Sequence, residues 1–142
     1  MSLDLDTART IVAGARKYAA DAGFKPMTVV VLDAGGHVVA VEREDGSSMS
    51  RFEIGFGKAH GALSLGMGSR SIMGRAEQQP YFIAAVTSAV GGSLVPVPGG
   101  VLVRDADGVL LGAVGVTGDT SDNDEAAAVA GIESAGLTAQ TD

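Results

Sequence analysis

The sequence predicts an α/β protein, in which a central antiparallel sheet of about five strands lies between layers of helix. Two observations carry this prediction. Residues 28–43 and 101–116 each contain two apolar segments joined by a turn rich in aspartate and glycine, which is typical of a β-hairpin. Residues 28–33 are β-branched and apolar on both faces of the predicted strand, which is typical of a strand covered by helices on two sides.

The first third of the chain predicts a helix followed by a hairpin. Apolar residues recur every three to four positions through residues 4–22, and Gly23 follows as a helix terminator. The turn at residues 33–36 then joins the buried strand to a returning strand at 37–43. One helix packed on one hairpin is therefore expected here.

The middle of the chain predicts three helices. The first runs over residues 51–67 and begins with a capping box in which Ser50 and Glu53 satisfy the first free amides. Its three internal glycines predict a close approach of the backbone to the sheet or to another subunit: Gly55, Gly57 and Gly61. Residues 69–76 and 81–90 predict two further helices, with Pro80 in the first turn of the second.

The last third predicts a second hairpin and a closing helix. The Pro- and Gly-rich residues 91–100 are expected to form a loop with a short edge strand, before strands at 101–104 and 109–116. A helix over 121–136 is expected to be capped by Ser121 and Asp124, and residues 137–142 are expected to fray.

Composition excludes several functions. The 142 residues fit a single domain spanning 1–142, and hydrophobic residues at 46% suffice for a core. Net charge is −7, which disfavours nucleic acid and anionic lipid as partners, and no cysteine is present. The acidic first six residues lack the features of an export signal, and no apolar run approaches membrane-spanning length, so a cytoplasmic protein is expected.

Most of the isolated polar motifs predict no catalytic or ligand-binding site. The glycine run at 112–118 precedes a helix whose first turns are acidic, which disfavours phosphate binding. His37 is expected on the surface, and no metal site is expected because no multi-histidine pattern occurs. The methionines predict core filling instead of metal ligation: Met49, Met67 and Met73.

Four charged residues form the most suggestive cluster: Arg43, Asp45, Glu53 and Lys58. The end of the first hairpin and the start of the following helix are expected to bring them together. Charges of both signs there could orient a carboxylate or shift each other's pKa for proton transfer, and a plain salt-bridge network is an equal alternative.

Several segments, in order and spacing, resemble the GlcG/HbpS family, a domain also found at the C-terminus of PduO-type proteins. The segments are residues 8–22, 30–40, 43–47, 58–59, 99–101, 107–118 and 123–126. The resemblance implies a profilin-like three-layer α/β/α sandwich, assembly into homo-oligomers and, in some members, haem binding or degradation. It also implies that a cleft between the hairpin ends and the helix starts is lined by Arg43, Asp45, Lys58, Thr117 and Asp124.

Three functions follow as hypotheses. The first is a small-molecule-binding oligomer, with haem or another planar or oxygenated ligand as the guest, held by Arg43, Glu53, Lys58, Thr117 and Asp124. The second is an enzyme in which Arg43 holds a carboxylate or enolate while Asp45, Lys58 or His60 transfers a proton. The third is a structural partner subunit.

Overall fold

The computed structural model describes residues 2–142, so Met1 lies outside it. These residues form five helices and five strands. In chain order they are α1 (Leu5–Asp21), β1 (Thr28–Asp33), β2 (Val38–Arg43), α2 (Arg51–Leu65), α3 (Ser69–Gln78), α4 (Pro80–Ala89), β3 (Gly100–Arg104), β4 (Leu110–Thr117), α5 (Ser121–Ser134) and β5 (Thr138–Gln140).

The sheet is antiparallel throughout, in the order β2-β1-β4-β3-β5. The two predicted hairpins meet at its centre, where β1 pairs with β4. The expected fraying of residues 137–142 is wrong, because residues 138–140 form β5 and pair with β3. The predicted five-stranded sheet with helices on both faces is confirmed.

The two hairpin turns share one geometry. In each turn the first aspartate, Asp33 or Asp105, accepts hydrogen bonds at Oδ1 from the backbone N–H groups two and four residues later. Gly36 and Gly108 hold equivalent positions with φ of 82° and 81°, a conformation that favours glycine. The similar turn sequences therefore produce equivalent ribbons.

Each face of the sheet has its own helical layer. Val29 and Val31 pack in a cluster with residues of α1 and α5. Val30 and Leu32, on the opposite face, pack with Ala59 and Ala62 of α2. Within the described residues no helix is long and apolar enough to cross a membrane.

The predicted close approach at the α2 glycines is confirmed within the chain itself. A Cβ at Gly55 would lie 3.3 Å from the carbonyl oxygen of Gly115 on β4. On other sides of α2, Gly57 and Gly61 contact the loop that precedes β3. The backbone of α2 therefore packs closely against both the sheet and this loop.

Some local predictions differ from the structure. Ser50 makes no side-chain capping bond, because its ψ of 6° is not the extended geometry that a cap requires. Thr120, not Ser121, caps α5, and its side chain accepts a hydrogen bond from the N–H of Asn123. The expected edge strand within residues 91–99 is absent, and Met49 is 89% exposed instead of filling the core.

We expect Gly115→Ala to lower the free energy of unfolding by about 3 kcal/mol, the upper part of the range for overpacking. The new Cβ would lie 1.9 Å from the carbonyl oxygen of Gly55, so two backbones must separate. Gly74→Ala in α3 is the matched control, since its Cβ would meet nothing within 4 Å. It should raise stability by about 0.5–1 kcal/mol. Equal effects in urea denaturation would contradict the close approach of α2.

Candidate functional site

Three polar side chains lie side by side across one end of the sheet. The register places Thr28 of β1 opposite both Arg43 of β2 and Thr117 of β4. Directly paired residues point to the same face, and Thr28 alternates with Val30, which packs against α2. The row therefore lies on the α2 face, beside the start of that helix.

Two guanidinium groups occupy this end of the sheet. Arg51 donates from Nη1 to Thr117 Oγ1 at 2.7 Å, and Arg43 donates from Nη1 to the carbonyl oxygen of Ser47 at 3.0 Å. Ser47 Oγ in turn lies 2.8 Å from Thr28 Oγ1. Within residues 2–142 neither arginine has a carboxylate within 4.0 Å. Both therefore retain N–H groups suited to a ligand carboxylate.

The strand β2 leaves its α2 face uncovered. Val41 and Val38 pair with residues of β1 that pack against α2, yet they are 36% and 48% exposed. Val39 and Ala40 pack instead with the cluster on the α1 and α5 side. An apolar strip of β2 thus continues from Arg43 toward the hairpin turn.

A stripe of rings on α2 borders this strip. Phe52, Phe56 and His60 follow at four-residue intervals, with ring centroids 5.9 and 5.2 Å apart. His60 Cδ2 lies 3.6 Å from the position a Cβ would take at Gly36, in the β1–β2 turn. The stripe therefore runs toward the hairpin turn on the β2 side of the helix. We call the surface formed by Val38, Val41, Arg43, Arg51, Phe52, Phe56 and His60 the α2–β2 trough.

Lys58 does not face this trough. It is 2% exposed and donates from Nζ to Asp124 Oδ2 at 2.9 Å and to the carbonyl oxygen of Val116 at 3.0 Å. Asp124, 1% exposed, also accepts at Oδ1 from the N–H of Asp119. Since Lys58 lies on α2 and Asp124 on α5, the ion pair joins the two helical layers past the end of the sheet.

Gly99, just before β3, and Gly100, its first residue, make room for this lysine. A Cβ at Gly99 would lie 2.8 Å from Lys58 Nζ, and one at Gly100 would lie 2.2 Å from the carbonyl oxygen of Lys58. The φ of Gly99, 125°, also lies in the region that favours glycine. The side chain therefore reaches α5 through a gap that larger residues would close.

Burial shifts the pKa of each member of this pair in the direction that favours its neutral form. Burial lowers the pKa of Lys58, and the attraction of Asp124 opposes that shift. Burial likewise raises the pKa of Asp124, while Lys58 and the N–H of Asp119 act in the other direction. The lysine donates both of its hydrogen bonds and the aspartate accepts both of its own, which fits the charged forms.

The remaining predicted residues lie apart. Asp45 lines a depression of about 340 Å³ on the α1 side, together with Arg16 and Phe24. Glu53 is exposed on α2. Within residues 2–142 no ion pair joins any two of the four residues expected to cluster, Arg43, Asp45, Glu53 and Lys58.

Sequence reasoning missed Arg51 and the two phenylalanines. The four-residue spacing of Phe52, Phe56 and His60 could have indicated one stripe of rings on the helix, but not which strand it would border. At the start of α5, Asp122 and Glu125 pair with Arg70 of α3. No group of three metal-ligating side chains occurs in the described part of the chain.

We expect Lys58→Met to lower the free energy of unfolding by about 3–5 kcal/mol, because it leaves Asp124 buried without its cation. Without Lys58, burial raises the pKa of Asp124 in the folded variant above its ordinary value of 3.8, so the stability of this variant should fall as the pH rises above that value.

The double variant with Asp124→Asn is the control. It removes the unpaired charge, so it should recover part of the stability lost in Lys58→Met and lose that pH dependence. Urea denaturation at several pH values measures both effects. A Lys58→Met protein as stable as the native chain would show that the pair does not hold the layers together.

The fold and sequence have known counterparts. The crystal structure described as "PduOC:Heme Complex" matches with a TM-score of 0.85 at 21% identity, over 96% of this chain and 97% of the other, and shows a shared fold. Protein ORFY of Klebsiella pneumoniae matches with a TM-score of 0.82 at 26% identity, over 93% and 89%. HbpS matches with a TM-score of 0.78 at 27% identity, over 92% and 88%.

Among proteins of curated function, none is significantly similar in sequence. The profile of the family described as "Haem degrading protein HbpS-like" matches residues 3–133, nearly the whole chain. This match confirms the resemblance seen in the sequence: the chain belongs to the HbpS-like family.

Proposed function

We propose that this protein binds a planar ligand that carries carboxylates, with haem as the candidate, in the α2–β2 trough. The observation that carries the proposal is that two arginines, with no carboxylate of residues 2–142 within 4.0 Å, lie beside an exposed apolar strip bordered by rings. Family membership and the haem named for one structural neighbour point in the same direction.

The residues of the trough fit the parts of haem. The propionates need cationic donors, and Arg43 and Arg51 offer guanidinium N–H groups at one end. The porphyrin needs apolar contact, which the exposed Val38 and Val41 offer beside the rings of α2. Bound haem would supply a redox-active iron centre, while the chain's own residues hold the carboxylates and cover one side of the ligand.

Local charge favours an anionic ligand even though the whole chain carries −7. Each arginine of the trough is held by neutral oxygen atoms, from Ser47 for Arg43 and from Ser48 and Thr117 for Arg51. By contrast, Arg16 is neutralised by two glutamates. The trough thus combines retained positive charge with apolar surface.

Two of the three residues predicted to transfer a proton do not lie beside the trough. Lys58 is enclosed and already donates to two oxygen atoms, so a substrate in the trough would not reach Nζ. Asp45 borders the separate depression on the α1 side. His60 does line the trough, but it lies nine positions along α2 from Arg51, away from the end where the arginines would hold a carboxylate.

The proposal includes self-association of the chain. Within α4 only Ile83 is buried, and its exposed residues carry no charge: Pro80, Tyr81, Ala84, Ala85, Ser88 and Ala89. An uncharged face on an acidic protein suits a second copy of itself better than a charged partner. This face therefore supports a homo-oligomer.

We expect haem to bind the purified protein at micromolar concentration with a shift of its Soret band. Arg43→Ala and Arg51→Ala should each weaken binding by about tenfold or more, since a hydrogen bond to a charged group contributes about 1.5–3 kcal/mol. Arg9→Ala, an exposed arginine on α1, is the control and should bind like the native protein.

The contrary result would be a native protein that binds neither haem nor metal-free protoporphyrin IX. That result would favour the structural-subunit hypothesis. Loss of binding in Arg9→Ala equal to that in the trough variants would mean that overall charge, not the trough, attracts the ligand.

We expect sedimentation to give a mass above the 14.2 kDa of one chain. Ala85→Glu places a charge on the α4 face and should lower that mass, whereas Glu77→Gln, exposed on α3, should not. A native mass of one chain at micromolar concentration would refute self-association and leave the ligand proposal intact.

A further inference from the structure

Only one of the two ring nitrogens of His60 takes part in a hydrogen bond within residues 2–142. Its Nδ1 lies 2.8 Å from the carbonyl oxygen of Ser93, which can only accept a hydrogen bond. In the neutral ring the proton is therefore on Nδ1, and Nε2 keeps its lone pair. Nε2 has no hydrogen-bond partner in residues 2–142. Every fully buried side-chain nitrogen or oxygen in these residues has such a partner, so Nε2 is not fully buried.

The ring is held in place from three sides. Ser93 binds Nδ1, Phe56 stacks on the imidazole with an interplanar angle of 17°, and Cδ2 faces Gly36, which has no side chain to cover it. A backbone carbonyl on the second nitrogen is the usual way in which proteins orient a metal-binding histidine.

His60 lies at the far end of the trough from the arginines. His60 lies nine positions after Arg51 on α2, which corresponds to about 13 Å along the helix axis. The trough thus carries carboxylate-binding groups at one end, apolar surface between, and an open imidazole nitrogen at the other.

His37 and Met49 are exposed side chains that could also bind iron. His37 is 81% exposed on the β1–β2 turn, where its Nδ1 lies 3.1 Å from Asp33. Met49 is 89% exposed in the loop before α2. Neither belongs to the ring stripe, and no aromatic ring of residues 2–142 stacks on His37.

We propose that Nε2 of His60 is the axial ligand of the iron when haem occupies the α2–β2 trough. This inference rests on the proposed function, and it assigns the iron ligand to one residue of this chain. Arg43 and Arg51 bind the carboxylates whether or not the porphyrin holds a metal, whereas His60 binds only the metal.

The test compares haem with metal-free protoporphyrin IX on the native protein and on His60→Asn. Asparagine can still donate a hydrogen bond to the Ser93 carbonyl but is a poor iron ligand, so the fold should be retained, with an unchanged melting temperature. Haem affinity should fall about tenfold or more, and the spectrum of histidine-ligated ferric haem should be lost. Protoporphyrin affinity should not change, and added imidazole should restore the haem spectrum. His37→Ala and Met49→Leu are the controls, expected to behave like the native protein.

Each contrary outcome has a separate meaning. A native haem spectrum in His60→Asn overturns the ligand assignment and leaves the proposed function standing. An equal loss of both porphyrins in a folded His60→Asn also overturns it, because the residue would then only shape the trough. A native protein that binds neither porphyrin refutes the proposed function itself. Loss of the spectrum in His37→Ala or Met49→Leu alone would assign the iron to that residue.

Discussion

The buried ion pair between Lys58 and Asp124 is the constraint on which the arrangement of this fold depends. It joins α2 on one face of the sheet to α5 on the other, and it also binds the backbone of β4 through the Val116 carbonyl. Two charges out of water tolerate little displacement, because each must keep its partners. Gly99 leaves the space that the lysine side chain occupies, and Gly100 lets the backbone of Lys58 approach β3.

The position of α2 in turn creates the open surface on β2. Gly55 lets the helix backbone approach β4 closely, and Lys58 draws the helix toward the side of the sheet where β3 begins. The strand β2, at the opposite edge, is left without a helix over its apolar positions Val38 and Val41. The trough is thus a consequence of how the core is held together: its ring stripe and Arg51 lie on α2, and Arg43 lies at the end of β2.

The arginines of the chain include some that are neutralised by carboxylates and others whose charge remains available to a ligand. Arg70 and Arg16 each bind two carboxylates and so stabilise surface contacts of α3, α5 and α1. Arg43 and Arg51 are instead held by hydroxyl and carbonyl oxygens, which orient a guanidinium without cancelling its charge. An HbpS-like chain of strongly acidic composition therefore keeps positive charge at one end of an apolar trough.

The helices, both hairpins and the layered fold could be predicted from local patterns in the sequence, because periodicity and Asp-Gly turn chemistry act over a few residues. The family was also recognisable from the chain. Three contacts emerge only in the folded chain: Lys58 meets Asp124 across 66 positions, Arg51 reaches Thr117, and the short polar segment β5 completes the sheet. Such contacts depend on which surfaces a folded chain leaves adjacent, and no local pattern encodes that. The four charged residues predicted to cluster do not pair with one another in residues 2–142, because Lys58 binds Asp124 on the opposite layer, a partner that no spacing in the sequence indicates.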